Sequence, residues 1–163
     1  MAFKILSINA ELCTGCRACE LVCSLSKYDA CNPRKSAISI MKVEAYGIDL
    51  PVVCQHCDSP LCRDVCPVNA LTRNTDTGAI NLLSDVCIGC RACTLVCPYG
   101  AIKLDPDTGK TIKCDLCGGD PKCVKFCETG TLIYEKPFIT TYQRQTQYLK
   151  KVEHTLLSGR EID

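Results

Sequence analysis

Apolar residues come in short runs along this chain, broken every few positions by glycine, proline, aspartate or asparagine. The first run, residues 3–8, alternates as a strand does, with Phe3, Ile5 and Ile8 as its apolar positions. After a turn at Asn32-Pro33, residues 37–43 alternate again, and Gly47 and Pro51 bracket a second run ending at Val52 and Val53. Together they predict a hairpin insertion over 24–50 that covers one side of the core. Residues 68–72 and 79–82 flank the turn Asp76-Thr77-Gly78, a glycine hairpin signal. Residues 101–104 and 111–113 flank Asp105-Pro106-Asp107-Thr108-Gly109 in the same way, and residues 131–134 form a last strand. Only the tail changes period. Within 141–157, Tyr142, Leu149, Val152 and Leu156 share one helical stripe, Arg144, Lys150 and Lys151 lie elsewhere around it, and Ser158-Gly159 supplies a stop. This helix either packs back on its own domain or docks a partner subunit or a second copy of the chain. No apolar run reaches the roughly 18 residues of a membrane span.

Cysteine alters this plain α+β picture. Seventeen of the 163 residues are cysteine, a density that in a small secreted chain would mean disulfides. The odd count argues against full pairing, and the N-terminus lacks the long apolar run and cleavage site of a signal peptide. A reducing cytoplasm with metal-bound thiolates accounts for them better. Sixteen fall into four groups: Cys13, Cys16, Cys19, Cys23; Cys54, Cys57, Cys62, Cys66; Cys87, Cys90, Cys93, Cys97; and Cys114, Cys117, Cys123, Cys127. Each begins with a gap of two residues and ends with a gap of three. The first and third groups differ only at Thr14/Ile88 and Glu20/Thr94, while the second and fourth have a longer, proline-containing middle gap. The order of loop types is therefore A, B, A, B, as an internal duplication would leave it.

This is the spacing by which thiolates hold [4Fe–4S] clusters, where in a two-cluster ferredoxin the fourth cysteine precedes proline and ligates the other cluster. Cys66-Pro67 and Cys97-Pro98 have that form; Cys23 and Cys127 do not. Groups two and three thus make an inner unit over about 51–113, in which Cys54, Cys57, Cys62 and Cys97 hold one cluster and Cys66, Cys87, Cys90 and Cys93 another. By analogy, residues 1–23 and 114–134 make an outer unit, with Cys13, Cys16, Cys19 and Cys127 on one cluster and Cys23, Cys114, Cys117 and Cys123 on the other. The four-cluster domain spans 1–134 and the tail 135–163. Four-cysteine zinc sites also use two-residue gaps, but a gap of three before Cys-Pro is not a zinc-finger habit. Cys31 stands outside every group and reads as a free thiol. His56, between Cys54 and Cys57, reads as a solvated loop histidine, the alternatives being a hydrogen bond to cluster sulfur or a proton coupled to reduction. His154 carries no signal.

The formal charge of +1 becomes roughly −7 once four clusters of about −2 are added, and no basic tract or aromatic platform suits nucleic acid. No phosphate loop, dinucleotide fingerprint or nucleophile constellation is present. Four one-electron centres in one small domain imply conduction rather than catalysis.

The four groups, with Asn32-Pro33, Ser36-Ala37-Ile38 and Pro51-Val52-Val53-Cys54-Gln55-His56-Cys57, resemble the four-cluster ferredoxin-like subunits of multisubunit oxidoreductases. These include the electron-transfer subunits of dimethyl sulfoxide reductase, formate dehydrogenase, formate hydrogenlyase and carbon monoxide dehydrogenase systems. The resemblance covers residues 3 to about 134. It implies the one/four and two/three pairing, a catalytic partner subunit and a second redox partner. Lacking a membrane anchor, the chain looks most like small members that serve tungsten- or molybdenum-dependent aldehyde oxidoreductase-type enzymes, including benzoyl-coenzyme A reductases. The alternatives are a free-standing polyferredoxin or a subunit of a formate dehydrogenase, hydrogenase or carbon monoxide dehydrogenase.

Overall fold

The computed structural model describes residues 3–137 together with 145, 146 and 149. The tail helix expected over 141–157 therefore lies almost wholly outside the described residues. Within them the chain is a mixture of short helices and short antiparallel hairpins, the pattern of a ferredoxin-like fold.

Strand β1 (Ile5–Ile8) pairs antiparallel with β8 (Leu132–Glu135), Ile5 opposite Glu135 and Ile8 opposite Leu132, so the first and last strands of this region form one ladder. Strands β2 (Ser39–Val43) and β3 (Ile48–Val52) make the inserted hairpin. Strands β4 (Leu71–Arg73) and β5 (Ile80–Leu82) make a third ladder, and β6 (Lys103–Leu104) and β7 (Thr111–Ile112) a fourth. The last two hairpins turn by the same device. The Asn74 side chain accepts from the Asp76 and Thr77 N–H groups at 2.8 and 2.9 Å, and the Asp105 carboxylate accepts from the Asp107 N–H at 2.9 Å. Each loop then closes with a backbone bond from a left-handed glycine, Gly78 to Asn74 at 3.0 Å and Gly109 to Asp105 at 2.9 Å.

Helix α1 (Ala18–Tyr28) is the one long helix among the described residues. Three single turns follow: α2 (Leu61–Asp64), α3 (Ala92–Leu95) and α4 (Lys122–Lys125). Helix α1 packs against α4, and α2 against α3. Residues 24–28, expected at the start of the inserted hairpin, are the last turns of α1 instead. Its apolar period is inverted: Leu21 and Leu25 face outward, while Cys19, Glu20, Cys23 and Ser24 are buried. A core face made of thiols, a hydroxyl and a carboxylate escapes a search for apolar periodicity.

The larger core joins Leu6, Ile38, Ile40, Val53, Ala79, Ile112, Leu116 and Leu132 with Cys19, Cys23 and Cys123; a smaller one joins Leu71, Ile80 and Ile102 with Cys93. Thiols are thus part of both cores. Charged groups tie the insertion to this body. Buried Glu20 accepts from the Ile40 N–H at 2.9 Å, and Lys103 Nζ donates to the Pro33 and Ile38 carbonyls at 3.2 and 3.1 Å.

Candidate functional site

Each A-type loop leads into a helix through a glycine and an arginine in the left-handed region, Gly15 and Arg17 before α1 and Gly89 and Arg91 before α3. Cys19 and Cys23, four residues apart on α1, share its buried face. In each B-type loop a proline, Pro60 or Pro121, immediately precedes the short helix that carries the third cysteine, Cys62 or Cys123.

Two hollows are each lined by four cysteines. One is bounded by Cys54, Cys57, Cys62 and Cys97, roofed by apolar Pro60, Ile80, Pro98 and Ile102. The other is bounded by Cys13, Cys16, Cys19 and Cys127, with Ile40, Pro51 and Leu132 around it. In a third region, buried Cys123 lies close enough to Cys23 and Cys117 for their charges to act on it. In a fourth, Cys87 and Cys93 share the Thr111 hydroxyl, at 3.9 and 3.5 Å. Cys16 and Cys90 are exposed, Cys66 is partly buried, and Cys31 is an exposed thiol beyond α1.

Several of these sulfurs accept hydrogen bonds from the backbone. Cys23 accepts from Ala37 N–H, Cys54 from His56 N–H and Cys114 from Leu116 N–H, each at 3.4 Å, and Cys66 accepts from Ala70 N–H at 3.3 Å. Burial, reinforced by Glu20, pushes the Cys19 thiol up to about 12; burial and the neighbouring Cys23 do the same to Cys123. Burial also raises Cys114 and Cys62. Burial would raise Cys87 too, but hydrogen bonds from Thr111 and Gly89 N–H outweigh it and hold that thiol low. Thiols raised this far become thiolates only when a metal takes the place of the proton.

His56 is not the solvated loop histidine expected from the sequence. It sits in the left-handed region at φ 48°, its Nδ1 accepts from the Ile80 N–H at 3.0 Å, and its Nε2 is buried without a partner among the described residues. Burial and the nearby Lys113 charge push the imidazole down to about 3, so it serves as a neutral acceptor holding β5 against the Cys54 loop. Lys113 itself gave no signal in the sequence. Buried, it donates to Cys54 Sγ at 3.0 Å and to the Ile80 carbonyl at 2.7 Å.

Among the described residues, no three His, Cys, Asp or Glu side chains converge as the ligands of a single metal ion would. A tetrahedral zinc holds its sulfurs about 2.3 Å from one point. A cubane holds four thiolates around a larger body. Cysteines spread around a hollow, with N–H groups aimed at sulfur, fit the second case.

The family described as the 4Fe–4S dicluster domain matches residues 45–136, and that described as a 4Fe–4S binding domain matches residues 10–29. The polyferredoxin-like subunit of an aliphatic sulfonate oxidoreductase from Pyrococcus furiosus is 39% identical over 120 residues, covering 74% of this chain and 69% of that protein. An uncharacterized ferredoxin of Methanocaldococcus jannaschii is 34% identical over 98% of this chain and 95% of its own. The B subunit of the anaerobic dimethyl sulfoxide reductase of Escherichia coli is 34% identical over 77% of this chain and 69% of its own. The solved active-site complex BamBC of benzoyl coenzyme A reductase aligns at 28% identity over 82% of this chain and 77% of that one, with a TM-score of 0.49. Among the described residues no helix is long and apolar enough to cross a membrane.

Proposed function

This chain belongs to the 4Fe–4S dicluster family, whose relatives are non-catalytic iron–sulfur subunits of oxidoreductases, and on that footing we propose that it relays single electrons through four [4Fe–4S] clusters between a catalytic subunit and a second redox partner. The observation that carries this is the pair of hollows each lined by four cysteines, Cys54 with Cys57, Cys62 and Cys97, and Cys13 with Cys16, Cys19 and Cys127. In both, three ligands come from one loop and the fourth from a distant one. The remaining sets are Cys66 with Cys87, Cys90 and Cys93, and Cys23 with Cys114, Cys117 and Cys123. The α2–α3 and α1–α4 contacts support an inner and an outer two-cluster unit.

When bound, each group supplies one-electron exchange. The chain's own residues do the rest. Its thiolates hold the groups, apolar residues such as Pro60, Ile80 and Ile102 keep water off, and N–H groups on sulfur favour the more negative state.

The catalytic partner we favour is a molybdenum or tungsten enzyme of aldehyde oxidoreductase type in a reducing cytoplasm. The subunit role of the Pyrococcus furiosus relative supports a partner subunit. A free-standing polyferredoxin is the second reading, favoured by the near full-length match to a protein named a ferredoxin. Anaerobic co-purification, with mass spectrometry and metal analysis of what comes along, separates the two. Sixteen cysteines at four per cluster require about 16 irons per chain. A count near 8 by iron and sulfide analysis would sink the four-cluster arrangement.

A further inference from the structure

The four-cysteine sites differ in the fixed charge beside them, and at one of them a buried lysine, Lys113, donates directly to a cysteine sulfur. Its side chain is buried, 6% exposed, and its ammonium spends its three N–H bonds on Cys54 Sγ at 3.0 Å, the Ile80 carbonyl at 2.7 Å and the Cys114 carbonyl at 3.4 Å. A surface lysine would be screened; one buried against sulfur acts at short range in a low dielectric. The Cys13 site has the opposite sign nearby. Glu20, 4% exposed, lies beside Cys19, and the Asp49 carboxylate is pressed against Gly15. Arg17 lies 3.7 Å from Glu20, and Lys42 lies 3.4 Å from Asp49, but both bases are about half exposed. They therefore offset the carboxylates only in part.

Resting on the four-cluster reading above, we propose that Lys113 is a positioning residue that makes the site of Cys54, Cys57, Cys62 and Cys97 the electron-collecting stop of the relay, with the Cys13 site the more reducing one. A positive charge hydrogen-bonded to a ligating sulfur stabilises the state with one more electron. Reduction delivers one electron from a neighbouring reduced centre, and oxidation passes one on. No bond is formed or broken. Because Lys113 precedes Cys114 in the chain, the same residue joins sulfur of the Cys54 site to backbone of the Cys114 site, a direct link between the inner and outer cysteine sets.

The test is a redox titration of the intact, iron-loaded protein followed by electron paramagnetic resonance, comparing wild type with Lys113→Gln, Lys113→Arg and Asp49→Asn. Lys113→Gln is expected to lower the midpoint potential of one centre, the one whose signal Cys57→Ser alters, with iron content kept and the others moving little. Lys113→Arg should largely restore it, and Asp49→Asn should raise a different centre. Unchanged potentials in Lys113→Gln at full iron content would overturn the assignment. So would iron loss shared by Lys113→Gln and Lys113→Arg, since arginine preserves the charge and a common loss means a role in packing alone. If wild type itself carries fewer than four centres, it is the four-cluster reading that fails, and the iron count reports that separately.

Discussion

The two A-type loops carry nearly the same residues, yet different neighbours sit above their glycines. A side chain at Gly15 would run into the Asp49 carboxylate, whereas one at Gly89 would meet the Gly109 carbonyl oxygen at 3.1 Å. Both glycines lie in the left-handed region, at φ 65° and 68°, so alanine at either costs about 1–2 kcal/mol in backbone strain alone. The neighbours then divide the outcomes. A carboxylate at the end of a side chain can turn away, but a turn carbonyl cannot. Gly89→Ala is expected to speed the loss of visible cluster absorbance under a chelator more than Gly15→Ala does; equal rates would count against this. The grouping of the cysteines and the turn glycines were legible because both are written in local spacing. Lys113, His56 and Asp49 were not, because each acts on a loop remote in sequence. Lys113 and Cys54 are 59 residues apart, and Ile80 and His56 are 24 apart.

Helices α2, α3 and α4 are four residues each, well below the length at which a helix holds its own in water. Every one carries a cysteine, Cys62, Cys93 or Cys123, and in the proposed four-cluster arrangement the metal would supply what helix propagation cannot. Iron removal is expected to abolish these turns and leave a largely unfolded chain, with circular dichroism as the readout. Native-like spectra from the iron-free protein would contradict it. The β4–β5 and β6–β7 hairpins could be located from sequence, since Asn74, Gly78, Asp105 and Gly109 use side chains and backbone freedom that only a turn needs. Helix α1 could not be bounded. Leu21 and Leu25 point outward, and its buried side is polar until the sulfurs find their partners.

Across the whole chain, charge is the property that sequence alone misstates. The formal value of +1 and a pI near 7.3 describe thiols, not metal-bound thiolates. With four clusters the molecule carries roughly −7. The loaded protein is therefore expected to bind an anion exchanger at neutral pH, and passage through the column unretained would argue against that loading. Four repeats were legible because duplication preserves spacing. The long-range pairing of β1 with β8 was less so, since each strand in isolation is a short apolar run like any other. That ladder also sets a schedule for synthesis. Leu6 meets Tyr134 only after residue 134 has left the ribosome, whereas the β4–β5 and β6–β7 ladders join strands that are neighbours in the chain. Under the proposed assignment the cysteines of the inner unit are all made by residue 97, whereas the outer sets that begin at Cys13 are complete only with Cys127.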